Sequence, residues 1–266
     1  MKLRYILIII VLISLIGIPT VTVFYYKFDP VLLSKLSFYM DLANPYMRIV
    51  RIEEGLRREE IAERLADKLN WDQKDKDTFA NAHLALDGKY SEGHYFPKTY
   101  LIYQDETPQV VQATMFDEFS KQIQNIKKPK SKITNEDTIL RIASIIQREA
   151  ASKDDMNLIS GIIWNRIWNG MKLQMDATLQ YAKGSESDGW WREVNPEDRK
   201  IKSLYNTYLY PGLPPSAIAN PGLSAIAAAY NPLQTKCLFY LHDKNKKIHC
   251  AKTYQEHKKN IKIYLK

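Results

Sequence analysis

Only two of the 266 residues are cysteine, Cys237 and Cys250, so a disulfide-dense scaffold and a four-cysteine zinc site are both excluded and one bridge is the most the chain can form. Ten glycines and twelve prolines are too few and too dispersed for a collagen-like repeat, a glycine-rich linker or a proline-rich arm. The five histidines, His83, His94, His242, His249 and His257, show no H-E-x-x-H or comparable ligand spacing, so no metal and no cofactor is expected. Walker A, G-x-S-x-G and G-x-G-x-x-G strings are missing too, as is any internal repeat. What is present is 45% hydrophobic and 26% charged residues with a formal charge of +8, which excludes intrinsic disorder and a multi-span membrane protein. The Lys and Arg residues read as scattered and usually neighboured by Asp or Glu, so the surplus is taken as a solvated surface and no nucleic-acid partner is expected.

One long apolar run does occur. Residues 5–26 carry no charge over 22 positions, against roughly 20 needed to cross a bilayer as a helix. Lys2 and Arg4 precede it, so the positive-inside tendency leaves residues 1–4 as a cytoplasmic tip and sends the rest of the chain across the membrane. A cleaved signal peptide is the competing reading, but the run closes in Val-Phe-Tyr-Tyr-Lys27 without a small-x-small site. Residues 5–26 are therefore expected to be an uncleaved anchor in the inner (cytoplasmic) membrane, and 27–46 a tether.

Met47 to Ile52 alternates like a strand, Gly55 breaks it, and Arg57 to Leu69 places Ile61, Ala62, Leu65, Ala66 and Leu69 on one helical face. That opening resembles LysM carbohydrate-binding modules, although a strand and a helix sharing a small core explain it equally well. A second helix is expected from about Lys76 to Leu86, an extended aromatic stretch over Glu92–Tyr100, and an amphipathic helix from Thr107 to Ile126 with Val110, Val111, Met115, Phe119 and Ile123 inward. Lys127 to Lys132 reads as a charged connector.

Thr134 to Asp137 is a helix-start signal before an apolar run. Over 135–151, 100° steps gather Ile139, Ile142, Ala143, Ile145, Ile146 and Ala150 on one arc and Asp137, Arg141, Ser144 and Arg148 on the other. Glu149 falls within the apolar arc. Desolvation would raise its pKa and hold it protonated near neutrality, as a general acid requires. A carboxylate neutralised by a buried arginine, or one lying wet at a frayed helix end, is the alternative. A further helix over Asp154–Trp168 should stop at Asn169-Gly170. Beyond it, Gln174, Asp176 and Thr178 alternate in a polar stretch suited to lining a groove.

The strings Ile142-Ala-Ser-Ile-Ile-Gln-Arg-Glu-Ala150, Trp164-Asn-Arg-Ile, Gly170-Met-Lys-Leu-Gln-Met-Asp176, Tyr205-Asn-Thr-Tyr208, Gly212-Leu-Pro-Pro215 and Asn220-Pro-Gly222 follow one another in this order. Together they resemble the YceG-like family of endolytic murein transglycosylases, and the resemblance extends to the N-terminal span, Glu92-Gly-x-x-Phe-Pro-x-Thr-Tyr100 and Thr253-Tyr-x-Glu-His257. It implies an α+β fold with a LysM-like unit over 47–105 and a catalytic domain over 106–266. It also implies a lyase that cuts peptidoglycan glycan strands, with Glu149 as the catalytic acid and murein synthases as neighbours. Gln147 stands where a second Glu is frequent in the family; Ala150, Ala177 and Leu204 are departures from its pattern and bear on the groove near Asp176 and Tyr205. Asp176 is the candidate supporting carboxylate. Gln174, Thr178, Tyr205, Asn206 and Tyr208 are candidates for binding sugar or acetamido groups, with turn and core roles as the alternatives. The Pro-rich turns at 212–215 and 220–222 are expected to shape the cleft wall. A non-catalytic glycan-binding or scaffold protein and a hydrolytic muramidase are the rival functions. Cys237 to Cys250 reads as a hairpin around Asp243–Lys246 that would set the two cysteines opposite each other, either bridged or as two buried thiols.

Overall fold

The computed structural model describes residues 38–81, 91–126 and 135–265. The expected tip and anchor over 1–26, most of the tether, His83, the end of the second predicted helix and the lysine connector lie outside the described residues. Among those described, no helix is long and apolar enough to cross a membrane. The chain divides into two compact units, 1–47 and 48–266. In the first, the described part is helical over residues 38–43, and the Asn44 Oδ1 accepts from the Tyr46 N–H.

The second unit is α+β. Strand β1 (Met47–Arg51) pairs with β2 (Thr99–Tyr103), and between them lie α1 (Arg58–Leu69) and α2 (Gln73–Ala80). Helix α1 starts where Glu60 reaches back to the Arg57 N–H at 2.9 Å and ends on Asn70 at φ 55°. Asp72 and Asp75 cap α2 reciprocally, so that it starts at Gln73, three residues upstream of the predicted start, because the cap chemistry rather than the apolar pattern sets the boundary. Ile61, Leu65, Phe79, Tyr95, Tyr100, Val111 and Met115 form one core.

Helix α3 (Pro108–Gln124), with Pro at its first turn, spans two cores: Val111 and Met115 enter the first, Phe119 and Ile123 the second. Val110, expected inward, is 47% exposed, because the buried row follows 111, 115, 119 and 123 and leaves position 110 a hundred degrees away. The second core is built around α4 (Glu136–Glu149), capped by Asn135 and packed against α5 (Met156–Trp168), α6 (Asp176–Lys183) and α7 (Leu223–Tyr230). Ile139, Ile142, Ala143, Ile145 and Ile146 are fully buried, and each isoleucine contributes about 1.5–3 kcal/mol of burial.

The other arc of α4 is covered as well. Ser144 is buried, donating to the Arg141 carbonyl and accepting from the Ile218 N–H at 3.0 Å, while Arg148 donates to the Gly55 carbonyl and lies 3.7 Å over the Trp191 ring. The 212–222 turns therefore brace the back of α4 instead of shaping the cleft: Arg141 donates to the Pro214 carbonyl, and Gln147 accepts from the Gly222 N–H. Buried Asn220 accepts from Gly93 and Tyr95 N–H and donates to Glu92 and the Leu56 carbonyl, joining three segments distant in sequence.

The chain closes with a hairpin, β3 (Phe239–His242) and β4 (Ile248–Ala251), and α8 (Tyr254–Tyr264), whose start is capped by Thr253 and Glu256. Cys237 and Cys250 are bridged. They are not cross-strand partners, since Cys250 pairs with Tyr240 in the ladder and Cys237 lies before β3.

Candidate active site

Residues Gly161, Asn165 and Arg166 of α5 fix the approach to β3. A Cβ at Gly161 would collide with the Leu233 carbonyl, so only glycine lets that segment lie so close. Asn165 donates to the Thr235 and Cys237 carbonyls, and Arg166 to those of Leu238 and Lys172. The Trp164-Asn-Arg string thus ties the hairpin and the 172–174 segment to one helix, and between them runs a groove of about 670 Å³.

Glu149, the last residue of α4, forms part of that groove's floor. The residue is half-buried, but its carboxyl is enclosed by protein. Oε1 accepts the Ala177 N–H at 3.0 Å and Oε2 the Tyr240 hydroxyl at 2.7 Å. Burial raises the Glu149 pKa above the ordinary carboxylate value; those two hydrogen bonds oppose the rise, the charge of Asp176 adds to it, and His242 opposes it. A carboxylate at a helix C-terminus is also disfavoured by the α4 dipole, whereas the N–H it meets belongs to the first turn of α6. Among the described residues no Arg or Lys forms an ion pair with Glu149, and neighbouring Arg148 turns away to Trp191, so the neutralised-carboxylate alternative has no partner here.

Gln174, Asp176 and Tyr208 line the groove with Glu149. Gln174 sits at φ 52° and its N–H donates to the Thr207 carbonyl; Asp176 accepts from the Tyr208 hydroxyl at 2.6 Å. Burial and Asp176 raise the Tyr208 pKa. Thr178, Tyr205 and Asn206 do not reach the groove. Thr178 is buried, hydrogen-bonded to the Met175 carbonyl and the Thr207 hydroxyl; Asn206 is buried, donating to the Arg199 and Ile201 carbonyls; Tyr205 packs on Tyr181 at 4.7 Å and bonds to Ser216. Their polar groups are spent on holding the 174–176 wall and its neighbours. This corrects their expected contact with sugar: tertiary packing turned these side chains inward.

Sequence reasoning missed the opposite wall. Phe239, Tyr240, Leu241 and His242 of β3, Tyr254, His257 and Ile261 of α8, and Leu265 beyond it line the groove, with Arg166 and Arg199. Tyr240 is 91 positions from Glu149, and no local spacing signals the contact. His242 in turn meets Asp155 at 3.2 Å.

An α+β fold thus sets an enclosed carboxyl, without a cationic partner among the described residues, in the floor of a polar groove, an arrangement suited to acid–base chemistry. The chain belongs to the YceG-like family, whose profile matches residues 25–263. It is 30% identical over 246 residues to the endolytic murein transglycosylase of Bacillus subtilis (strain 168), a match covering 84% of this chain and 67% of that one. It is likewise 30% identical to the endolytic murein transglycosylase of Streptococcus pneumoniae serotype 2 (strain D39), over 64% of this chain but 31% of that longer protein. The fold matches the 2.6 Å crystal structure of the YceG-like protein lmo1499 from Listeria monocytogenes with a TM-score of 0.67 and 25% identity, covering 79% and 75% of the two chains.

Proposed function

We propose that this protein is an endolytic murein transglycosylase, a lyase that cuts the β-1,4 bond between N-acetylmuramic acid and N-acetylglucosamine without water. The observation that carries this reading is the Glu149 carboxyl, enclosed and raised in pKa, yet held by two donors that also accommodate its ionised form. As the acid, Glu149 gives its proton to the leaving glycosidic oxygen as the C1–O bond breaks. As carboxylate it then takes the proton of the muramyl C6 hydroxyl, whose oxygen closes onto C1 to leave a 1,6-anhydro end. One carboxyl thus serves both steps and is regenerated, in place of the carboxylate pair of ordinary glycosidases. Asp176, held by Tyr208, is the supporting carboxylate, and Gln174 offers an amide to the sugars.

The same reading makes residues 5–26 the membrane anchor with the N-terminus cytoplasmic, 47–105 a LysM-like glycan-binding unit and 106–266 the catalytic domain. The β–α–α–β order of β1, α1, α2 and β2 supports a module of that type. Acting beside a murein synthase, such an enzyme would end or trim nascent strands. The test is mass spectrometry of glycan strands incubated with the protein and with Glu149→Gln. Anhydro ends from the parent alone are expected, with turnover at least 100-fold lower in the variant. Reducing ends would make it a muramidase, and uncut strands with folded protein would leave a glycan-binding scaffold.

A further inference from the structure

The Lys and Arg residues are spread along the chain, but the net surplus of positive charge is concentrated at one end. Residues 236–266 hold nine lysines against Asp243 and Glu256, a net +7 of the formal +8, so residues 1–235 are close to neutral. Both acids are engaged locally: Asp243 meets His249 at 2.8 Å and accepts the Asn245 and Lys247 N–H groups, and Glu256 accepts the Lys252 and Thr253 N–H groups. Among the described residues none of Lys246, Lys247, Lys258, Lys259 and Lys262 forms an ion pair.

Helix α8 places part of this surplus at the groove. Tyr254, His257 and Ile261 line the groove, while Asn260 donates to the Cys250 carbonyl and Tyr264 stacks on His249 at 3.6 Å. At 100° per residue, the exposed Lys258 and Lys262 follow on the arc next to the groove-lining row, while Lys259 falls near the opposite face. Lys258 Nζ lies 5.2 Å from the Tyr254 ring centre, so the lysine arc begins at the groove's rim. Arg199 is exposed and also lines the groove. Clustered cations with no counter-charge repel one another and focus a positive potential on the space beside them, which favours an anionic occupant.

We propose that the lysine row of α8, Lys258 and Lys262, binds carboxylates of the peptide stems on the strand lying in the groove, so that stem-bearing murein is held in preference to uncharged glycan. The proposal rests on the transglycosylase reading. A lipid surface fits less well, because an interfacial helix needs a continuous apolar face free to enter the headgroup boundary. Here Tyr254, Ile261 and Leu265 face the groove, and a lone Ile263, 66% exposed, makes no apolar face.

The experiment compares stem-bearing strands, untreated or with their carboxylates converted to amides by carbodiimide and ammonia, as substrates for the full chain, for K258Q/K262Q and for K259Q on the far face. On untreated strands K258Q/K262Q should raise KM about fivefold with kcat kept, as two exposed charge contacts warrant, and K259Q should leave it unchanged. Amidation should raise the parent's KM similarly and add nothing further in K258Q/K262Q, and K258R/K262R should retain the parent's KM. An unchanged KM on untreated strands, or an equal loss on amidated ones, overturns the proposal. Co-sedimentation with the same two strand preparations, in the Glu149→Gln background, decides the lysine row even if the parent cuts nothing, in which case the activity reading fails separately. Loss of binding to phosphatidylglycerol vesicles with murein binding intact would assign the lysines to lipid instead.

Discussion

The Tyr240 hydroxyl is the sharpest handle on the chemistry. Tyr240→Phe keeps the ring and removes a 2.7 Å hydrogen bond to Glu149 Oε2. A bond of that type to a charged group contributes about 1.5–3 kcal/mol, and it is made to the ionised carboxyl in preference to the neutral one. Losing it leaves burial less opposed, so Glu149 should titrate higher in the variant than in the parent. The first step needs the protonated acid, so the alkaline limb of kcat/KM should move to higher pH. The second step needs a well-aimed carboxylate, so kcat should fall about 10- to 100-fold. The assay is the rate of 1,6-anhydro end formation by mass spectrometry across pH. A limb that stays in place, with the rate lowered equally at every pH, would mean that Tyr240 only supports the hairpin and would refute the assignment.

Two further outcomes follow from groups away from the groove. Glu92 is buried beside Glu59, and burial first, then the Glu59 charge, push its pKa up to about 8 against the opposing Arg58 and Arg57. A folded-state value above the unfolded one means that its stabilisation is full below about 4.5 and is lost as pH rises through about 8. The parent's Tm should therefore decline between pH 5 and 9 more steeply than that of Glu92→Gln, and parallel melting curves would falsify this. The Cys237–Cys250 bridge closes a loop of 13 residues' separation, worth about 3 kcal/mol. Because β3 carries Tyr240, reduction should lower both the melting temperature and turnover, whereas equal activity with and without reductant would separate the bridge from the site.

The sequence determined much of the local structure, since caps, apolar periods and turn residues act over a few positions. Asn135 and the isoleucines of α4 located that helix and put Glu149 on its inward arc; Gly170, with φ 64°, stands just past the end of α5 as expected. The ordered motifs sufficed for the family, because each string preserves packing or hydrogen-bonding demands of one fold. Tertiary structure alone decided which polar side chains face the groove. Thr178 and Asn206 look as available in sequence as Gln174 and Asp176, but buried N–H and C=O groups nearby needed partners and took them. It alone brought Tyr240 to Glu149, since that contact depends on the hairpin's position and not on any period within it. Charge shows the same division. Counting residues locates the surplus in the last 31 positions, but only the packing of α8 against β3 and β4 sets its lysines beside the groove, where long-range electrostatics can act on a bound strand.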